Sequence, residues 1–115
     1  MIEWITAAFA VFLASAVCSA RYCMTHVVVR QYRVSLPGYQ GKTRAVMVSD
    51  LHNNNSYGKD NQRLLETIRA QRPDLIFAPG DIIGRNAQEP EIRRMLTFLQ
   101  KCNEIAPTVY SPGNH

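Results

Sequence analysis

Three short motifs in this chain carry oxygen and imidazole groups of the kind that bind divalent metal ions. They are Asp50-Leu51-His52, Gly80-Asp81 and Gly113-Asn114-His115, and they recur about thirty residues apart. Asp50 and His52 are two positions apart, so in an extended backbone both side chains project to one side and can hold one ion. The spacing therefore predicts a metal site assembled from several loops rather than from one local segment.

The sequence around these motifs predicts alternating strands and helices. Apolar runs at 45–48 and 75–78 are typical of buried strands in a parallel sheet, and 108–110 forms a third strand. Helices are predicted from Asp60, acting as the N-terminal cap, to about Gln71, and over residues 89–101. Because ligands bind outside the carboxyl ends of parallel strands, and each motif follows a strand within four residues, we expect the motifs to converge.

Both predicted helices have an apolar face at helical spacing. The faces contain Leu64, Leu65 and Ile68 in the first helix, and Ile92, Met95, Leu96 and Leu99 in the second. The β-branched segment 27–34 predicts one more strand at the start of the domain.

Residues 2–20 form a strongly apolar segment, with 15 apolar side chains among 19 residues and no charge after Glu3. As a helix, residues 4–20 would reach about 25 Å, just enough for a thin hydrocarbon core. The segment therefore predicts a transmembrane anchor. A cleaved signal peptide, whose positively charged start is missing here, and a buried helix are the alternatives.

The basic residues indicate how such an anchor would be oriented. None precedes the apolar segment, whereas Arg21, Arg30 and Arg33 follow it. The positive-inside bias then predicts a single-pass protein of the cell membrane with a cytoplasmic domain. Three cysteines, an odd number without a Cys-x-x-Cys pair, agree with a reducing compartment.

The net charge of +4 comes from scattered lysines and arginines. This distribution is typical of an ordinary solvated surface with a slight attraction to anionic lipid. A nucleic-acid partner is not expected.

Taken together as SDLH, PGDIIG and SPGNH, the motifs resemble the signature of calcineurin-like metallophosphoesterases, especially the bacterial branch with an N-terminal membrane segment. The resemblance covers roughly residues 44–115, and residues 21–43 would be a juxtamembrane segment with the first strand. It implies a βαβαβ half of an α/β/β/α sandwich, truncated after the GNH motif. A lone histidine and a G-H-x-H segment usually follow in that family.

The resemblance also implies roles for individual residues at a centre of two divalent metal ions. Asp50 and His52 would bind the first ion, Asp81 would bridge both, and Asn114 would bind the second. His115 would contact the phosphate and assist departure of the leaving group. The implied reaction is hydrolysis of phosphomonoesters or phosphodiesters by a metal-activated hydroxide. These ligand types suit manganese, iron or zinc.

Two further residues are candidates for substrate binding. Related phosphatases continue as G-D-x-x-D-R, whereas here Gly84 replaces the acidic residue and Arg85 stands where a phosphate-binding arginine could lie. Asn53, beside the first motif, is the second candidate. A solvated arginine and a turn-forming asparagine are the competing interpretations.

The expected partners are a phosphoester substrate and the membrane. Lipid-linked phosphoesters suit a site tethered near the bilayer, and soluble phosphomonoesters and nucleotides stay open. Without the later ligands, this segment alone is expected to be inactive. A membrane-tethered module that binds phosphate esters without turnover, and a plain α/β interaction domain, are the alternative functions.

Overall fold

The structure, a computed structural model, describes residues 1–114. Its elements in chain order are α1 (Ile2–Thr25), β1 (Ala45–Met47), a 3₁₀ turn (Lys59–Asn61), α2 (Gln62–Ala70), β2 (Leu75–Ala78), α3 (Glu89–Ile105) and β3 (Thr108–Tyr110). The strands form one parallel sheet in the order β1-β2-β3. This is the expected βαβαβ arrangement behind an apolar N-terminal helix, so the predicted fold class is confirmed.

The core lies between one face of this sheet and the two helices that follow its first two strands. On the sheet side, Ile76 and Ala78 of the central strand are fully buried. The predicted face of α2, made of Leu64, Leu65 and Ile68, packs into the same cluster. Since β2 pairs on both edges and is covered by helices, it fixes the positions of the loops that leave the sheet.

The opposite face of the sheet is open to solvent. Met47, Phe77 and Val109 are aligned across the three strands, and Met47 is 70% exposed and Val109 54% exposed. The prediction that residues 45–48 form a buried strand is therefore wrong for β1. The described helices cover one face only, and β1 lies at the edge of the sheet, so alternate side chains of this strand stay in water.

Helix α1 stands apart from this core. It contains 24 residues, none of them buried, and large apolar side chains such as Trp4 and Phe12 are exposed. The helix extends past the predicted boundary at residue 20 and would be about 36 Å long. A helix that is apolar and exposed all round is suited to a non-aqueous environment.

Residues 27–34 do not form the predicted first strand. Val28 and Val34 are both 76% exposed, and only Val27 packs against the core. The β-branched composition fits a strand, but strand propensity takes effect only with a partner and a covered face. In the part of the chain that the structure describes, β1 pairs on one side with β2 and this segment pairs with nothing.

The start of α2 also differs from the prediction. Asp60 is not the N-cap; it lies in the 3₁₀ turn with φ 53°, and Asn61 occupies the cap position. Asn61 is fully buried, donates from Nδ2 to the Asn54 carbonyl (2.7 Å) and accepts from the Tyr57 amide (3.3 Å). Its side chain therefore holds the preceding loop instead of capping the helix.

Helix α3 is longer than predicted, and its buried face is rotated slightly from the predicted apolar face. It continues to Ile105, and its buried positions are Met95, Phe98 and Cys102. Leu96, expected on the apolar face, is 46% exposed. Consecutive residues are about 100° apart around a helix, so a seam through Met95 and Phe98 turns Leu96 towards solvent.

Candidate metal centre

The first two motifs meet at the carboxyl edge of the sheet. One ligand atom from each of Asp50, His52 and Asp81 lies within 4.8 Å of the other two. His52 Nε2 is 3.6 Å from Asp50 Oδ1, and these side chains are 48% and 65% exposed. Two carboxylates and an imidazole thus converge closely enough to bind one divalent cation.

The backbone that presents these groups is not extended, contrary to the prediction for the Asp-x-His pair. Asp50 (φ 57°), His52 (φ 47°), Asn53 (φ 64°) and Asp81 (φ 53°) all occupy the left-handed region. They are four of the seven non-glycine residues described with positive φ, so this conformation is concentrated at the candidate site. Such backbone strain is characteristic of functional sites, where the surrounding structure must impose it.

Backbone hydrogen bonds join the first loop (residues 49–53) to the second loop (residues 79–84) and hold the left-handed conformation in place. Asp50 N–H donates to the Gly80 carbonyl (3.1 Å), and His52 N–H donates to the Asp81 carbonyl (2.9 Å). Asn53 N–H continues the series to the Ile82 carbonyl (3.1 Å). The parallel pairing of β1 with β2 therefore persists beyond the strands and fixes the relative positions of the candidate ligands.

Glycines allow the third loop (residues 111–114) to approach the second. A Cβ on Gly113, whose φ is 81°, would lie 2.5 Å from Asp81 Oδ1. A Cβ on Gly80 would lie 3.2 Å from the Gly113 Cα. The Asp81 amide donates to the Pro112 carbonyl (3.3 Å), and a side chain at either glycine would push this contact apart.

Asp81 provides a direct test of whether the site suits a cation. Its Oδ1 is buried and, among the described residues, has no hydrogen-bond partner. A buried carboxylate oxygen without a donor is costly, and a cation beside it would remove that cost. The donor set and its geometry therefore fit a divalent metal ion.

Asn114, which is predicted to bind the second ion, lies at the same edge of the sheet. With Asp50 and Asp81 it lines an open depression of about 460 Å³ at the sheet edge. His115, the predicted catalytic residue, lies outside the described residues.

Comparison with known proteins gives the family. A sequence profile described as calcineurin-like phosphoesterase matches residues 43–115, which is more than half of the chain. The chain belongs to the calcineurin-like phosphoesterase family. The matched region contains the sheet and all three loops, and the metal dependence of the family agrees with the group of possible metal ligands found there.

A similar protein supports this assignment. An uncharacterized metallophosphoesterase of Campylobacter jejuni subsp. jejuni serotype O:2 is 26% identical over 88 residues. The match covers 76% of this chain and 23% of the relative, so the chain spans about a quarter of the relative's length. No solved structure matches the chain significantly.

The two candidates for substrate binding have different surroundings in this calcineurin-like chain. Arg85 is exposed in a turn that the Ala87 amide closes on the Gly84 carbonyl (3.2 Å). Asn53 Oδ1 instead accepts a hydrogen bond from the Gly84 amide (2.9 Å). Substrate contact stays a prediction for both residues.

One contact near the site was not foreseen from the sequence. Ser56, in the loop between β1 and the 3₁₀ turn, donates from its hydroxyl to the Met24 carbonyl in the last turn of α1 (3.0 Å). Val27 packs against the core directly after that helix. The pattern of residues 27–34 predicts a separate strand, and no local signal marks Ser56 as the residue that joins the apolar helix to the loop after the Asp50-Leu51-His52 motif.

Proposed function

We propose that this chain supplies the first ligands of a two-metal centre that hydrolyses phosphoesters. Membership of the calcineurin-like phosphoesterase family supports a phosphoester hydrolase function in general terms. The proposal adds that Asp50 and His52 hold one ion, Asp81 bridges it to a second, and Asn114 contributes to the second. The observation that carries it is that Asp81, which lies in a cluster with Asp50 and His52, has a buried Oδ1 with no hydrogen-bond partner among the described residues.

The chemistry of these side chains suits the proposed roles. When bound, two divalent ions would supply Lewis acidity towards a phosphoryl oxygen and lower the pKa of the attacking water. The Asp81 carboxylate brings the negative charge that a position between two cations requires. Asn114 brings a neutral oxygen, which leaves more of the cation charge for the substrate. The open depression keeps the cluster accessible to an incoming phosphoester.

Replacing Asp81 in the full-length protein tests the proposal. Asp81→Asn removes the bridging charge and should weaken Mn²⁺ binding by more than about 100-fold, since even outer-shell changes cost 10–100-fold. Hydrolysis of bis(p-nitrophenyl) phosphate should be lost with it. Metal binding is measured by calorimetry and turnover by release of nitrophenolate.

Asp60→Asn is the matched control, because Asp60 has the same φ of 53° and lies in the 3₁₀ turn outside the cluster. It should bind metal and turn over like the wild type. Wild-type metal binding and turnover in the Asp81 variant would contradict the proposed centre. Phosphoester binding without hydrolysis by the wild type would favour the module that binds without turnover.

His115 is proposed to protonate or stabilise the departing oxygen. His115→Asn should then lower kcat by about 10²–10⁴-fold while metal binding is kept. The loss should be smaller for nitrophenyl esters, whose leaving group needs little protonation, than for alkyl esters. A leaving-group series on wild type and variant measures this, and an equal loss for every ester together with loss of metal would make His115 a ligand instead.

We further propose that α1 anchors the protein in the cell membrane and that the substrate is a lipid-linked phosphoester. One described helix, Ile2–Thr25, is long and apolar enough to span a bilayer. The Ser56–Met24 hydrogen bond supports a location of the metal-site loop next to the end of that helix. Hydrolysis of a phospholipid headgroup in vesicles should exceed that of its short-chain soluble analogue. A preference for the soluble analogue would contradict the lipid substrate while leaving the metal centre intact.

A further inference from the structure

The side chain of Asn53 closes the series of hydrogen bonds between the first and second loops. Three backbone amides of the first loop donate to the second, and the last of these belongs to Asn53 itself. Its carboxamide Oδ1 then accepts a bond in the reverse direction, from the Gly84 amide at 2.9 Å. Asn53 is therefore bonded to the second loop through both its backbone and its side chain.

Glycine at position 84 leaves room for the Asn53 carboxamide. A Cβ on Gly84 would lie 2.9 Å from Asn53 Nδ2 and 3.6 Å from Asn53 Cγ. It would also lie 3.7 Å from the carbonyl carbon of His52. Because glycine has no side chain, position 84 provides the space in which the Asn53 carboxamide lies against the second loop.

The position of this pair relates it to the ligands. Asn53 directly follows His52, whose amide bonds to the Asp81 carbonyl (2.9 Å). Gly84 follows Asp81 by three residues. The bond between Asn53 and Gly84 consequently closes the first and second loops on the far side of the His52–Asp81 pair from the sheet.

We propose that Asn53 is a positioning residue, which sets the affinity of the metal centre by fixing His52 against Asp81 through the Gly84 amide. Asparagine suits the position because it tolerates the φ of 64° and provides an acceptor of the right length. The proposal rests on the proposed metal centre and goes beyond it, since it assigns the pair to holding the ligands rather than to substrate binding.

The test uses the full-length protein and Co²⁺, whose visible absorption reports both affinity and ligand geometry. Asn53→Ala should weaken Co²⁺ binding by about 10–100-fold and alter the spectrum, as loss of a ligand-orienting contact does. Asn53→Asp keeps an acceptor oxygen for the Gly84 amide and should bind Co²⁺ at least as tightly as wild type. Titrations are run well below the melting temperature of each variant, so that a merely structural loss does not enter the affinity.

Asn54→Ala is the matched control. The Asn54 side chain accepts hydrogen bonds from Ser56, two residues away, and the substitution should change Co²⁺ affinity by less than about threefold. Gly84→Ala should weaken binding because it displaces the carboxamide. Once Asn53 is alanine, the same change at position 84 should cost little more, so the double variant should resemble Asn53→Ala.

The outcomes separate the two proposals. If the wild type binds no Co²⁺, the metal centre itself is wrong. If the wild type binds it but Asn53→Ala binds equally well, or if the two single losses add in the double variant, the positioning role is overturned.

Discussion

At the scale of single residues, Gly113 and Gly38 show how position decides the consequence of one added methyl group. Both have a φ near +80°. A Cβ on Gly113 would strike Asp81 Oδ1 at 2.5 Å, whereas a Cβ on Gly38 would meet nothing within 4 Å. An alanine pays the same backbone penalty at both positions, so the pair isolates the effect of the contact with Asp81.

Gly113→Ala should therefore abolish tight metal binding as well as destabilise the protein, because Asp81 must move. Gly38→Ala should cost only the left-handed backbone conformation, about 1–2 kcal/mol, and leave metal affinity unchanged. Urea unfolding and Mn²⁺ calorimetry on the full-length variants measure the two effects. Equal metal affinity in both variants would show that the third loop does not position Asp81.

The convergence of the first two motifs could be predicted because their chemistry and their place after strands are local properties. Asp50, His52 and Asp81 stand out as residue types, and the parallel topology predicts that they meet. The Asn53–Gly84 bond could not be predicted, since it joins residues 31 positions apart and depends on the register of two irregular loops. A glycine where related proteins have an acidic residue was the one available signal of close approach.

At the scale of elements, the end of α2 contains a residue poorly suited to its backbone. Gln71 and Arg72 donate to the Ile68 and Arg69 carbonyls and close the helix, with Arg72 at φ 51°. Glycine is the usual residue at this left-handed position after a helix. Arg72 is exposed, so little packing is available to offset the cost of its conformation.

Arg72→Gly should stabilise the protein by about 1 kcal/mol, because the left-handed conformation costs other residues about 1–2 kcal/mol and glycine loses part of this to entropy. Arg69→Gly, inside the last turn of α2, should destabilise it by about 1 kcal/mol. Denaturant midpoints of both variants give the comparison. A loss of stability in Arg72→Gly would mean that its side chain makes a contact worth more than the strain.

The helices could be predicted because their apolar positions recur over several turns. The central strand could be predicted because its four residues form a continuous apolar run. Leu64, Leu65 and Ile68 are buried as expected, and Ile76 lies at the centre of the core. The prediction of a strand over residues 27–34 is wrong, because three consecutive valines indicate only strand propensity, whereas a strand also needs a neighbouring strand to pair with. The last turn of α3, after residue 101, was not predicted. It is stabilised by burial of Cys102, and the sequence there has no residue that would end the helix.

At the scale of the whole molecule, the three cysteines report on the proposed membrane topology. Cys18 and Cys23 are exposed on α1, and Cys102 is buried in the core. Burial raises the pKa of the Cys102 thiol to about 11. Cys102 should therefore react with maleimides far more slowly than the two exposed cysteines, because the thiolate is the reactive form.

If α1 spans the membrane, Cys18 lies within lipid and Cys23 at the far end of the helix. A membrane-impermeant maleimide should label Cys23 only after the cells are opened, because the domain is proposed to be cytoplasmic. Carbonate-washed membranes should retain the protein. Cys23→Ser should remove this label and Cys18→Ser should preserve it; labelling of Cys23 in intact cells would reverse the orientation.

The open face of the sheet is the feature of the whole molecule that sequence patterns describe least well. Runs such as residues 45–48 are equally apolar on both sides, so they predict burial on both faces. The structure covers only the side that packs on α2 and α3. Met47 and Val109 are therefore exposed on either side of the half-buried Phe77, and local sequence does not distinguish this row from the core.

The strand order β1-β2-β3 also has a consequence for protein synthesis. Each strand is laid beside the one translated just before it, and each ligand loop docks on its predecessor. A growing chain that leaves the ribosome at about 5–20 residues per second exposes Asp50 and His52 several seconds before Asn114. During that interval α1 has already emerged and can enter a bilayer, so the metal-binding edge would be assembled stepwise at the place where the nascent chain is held.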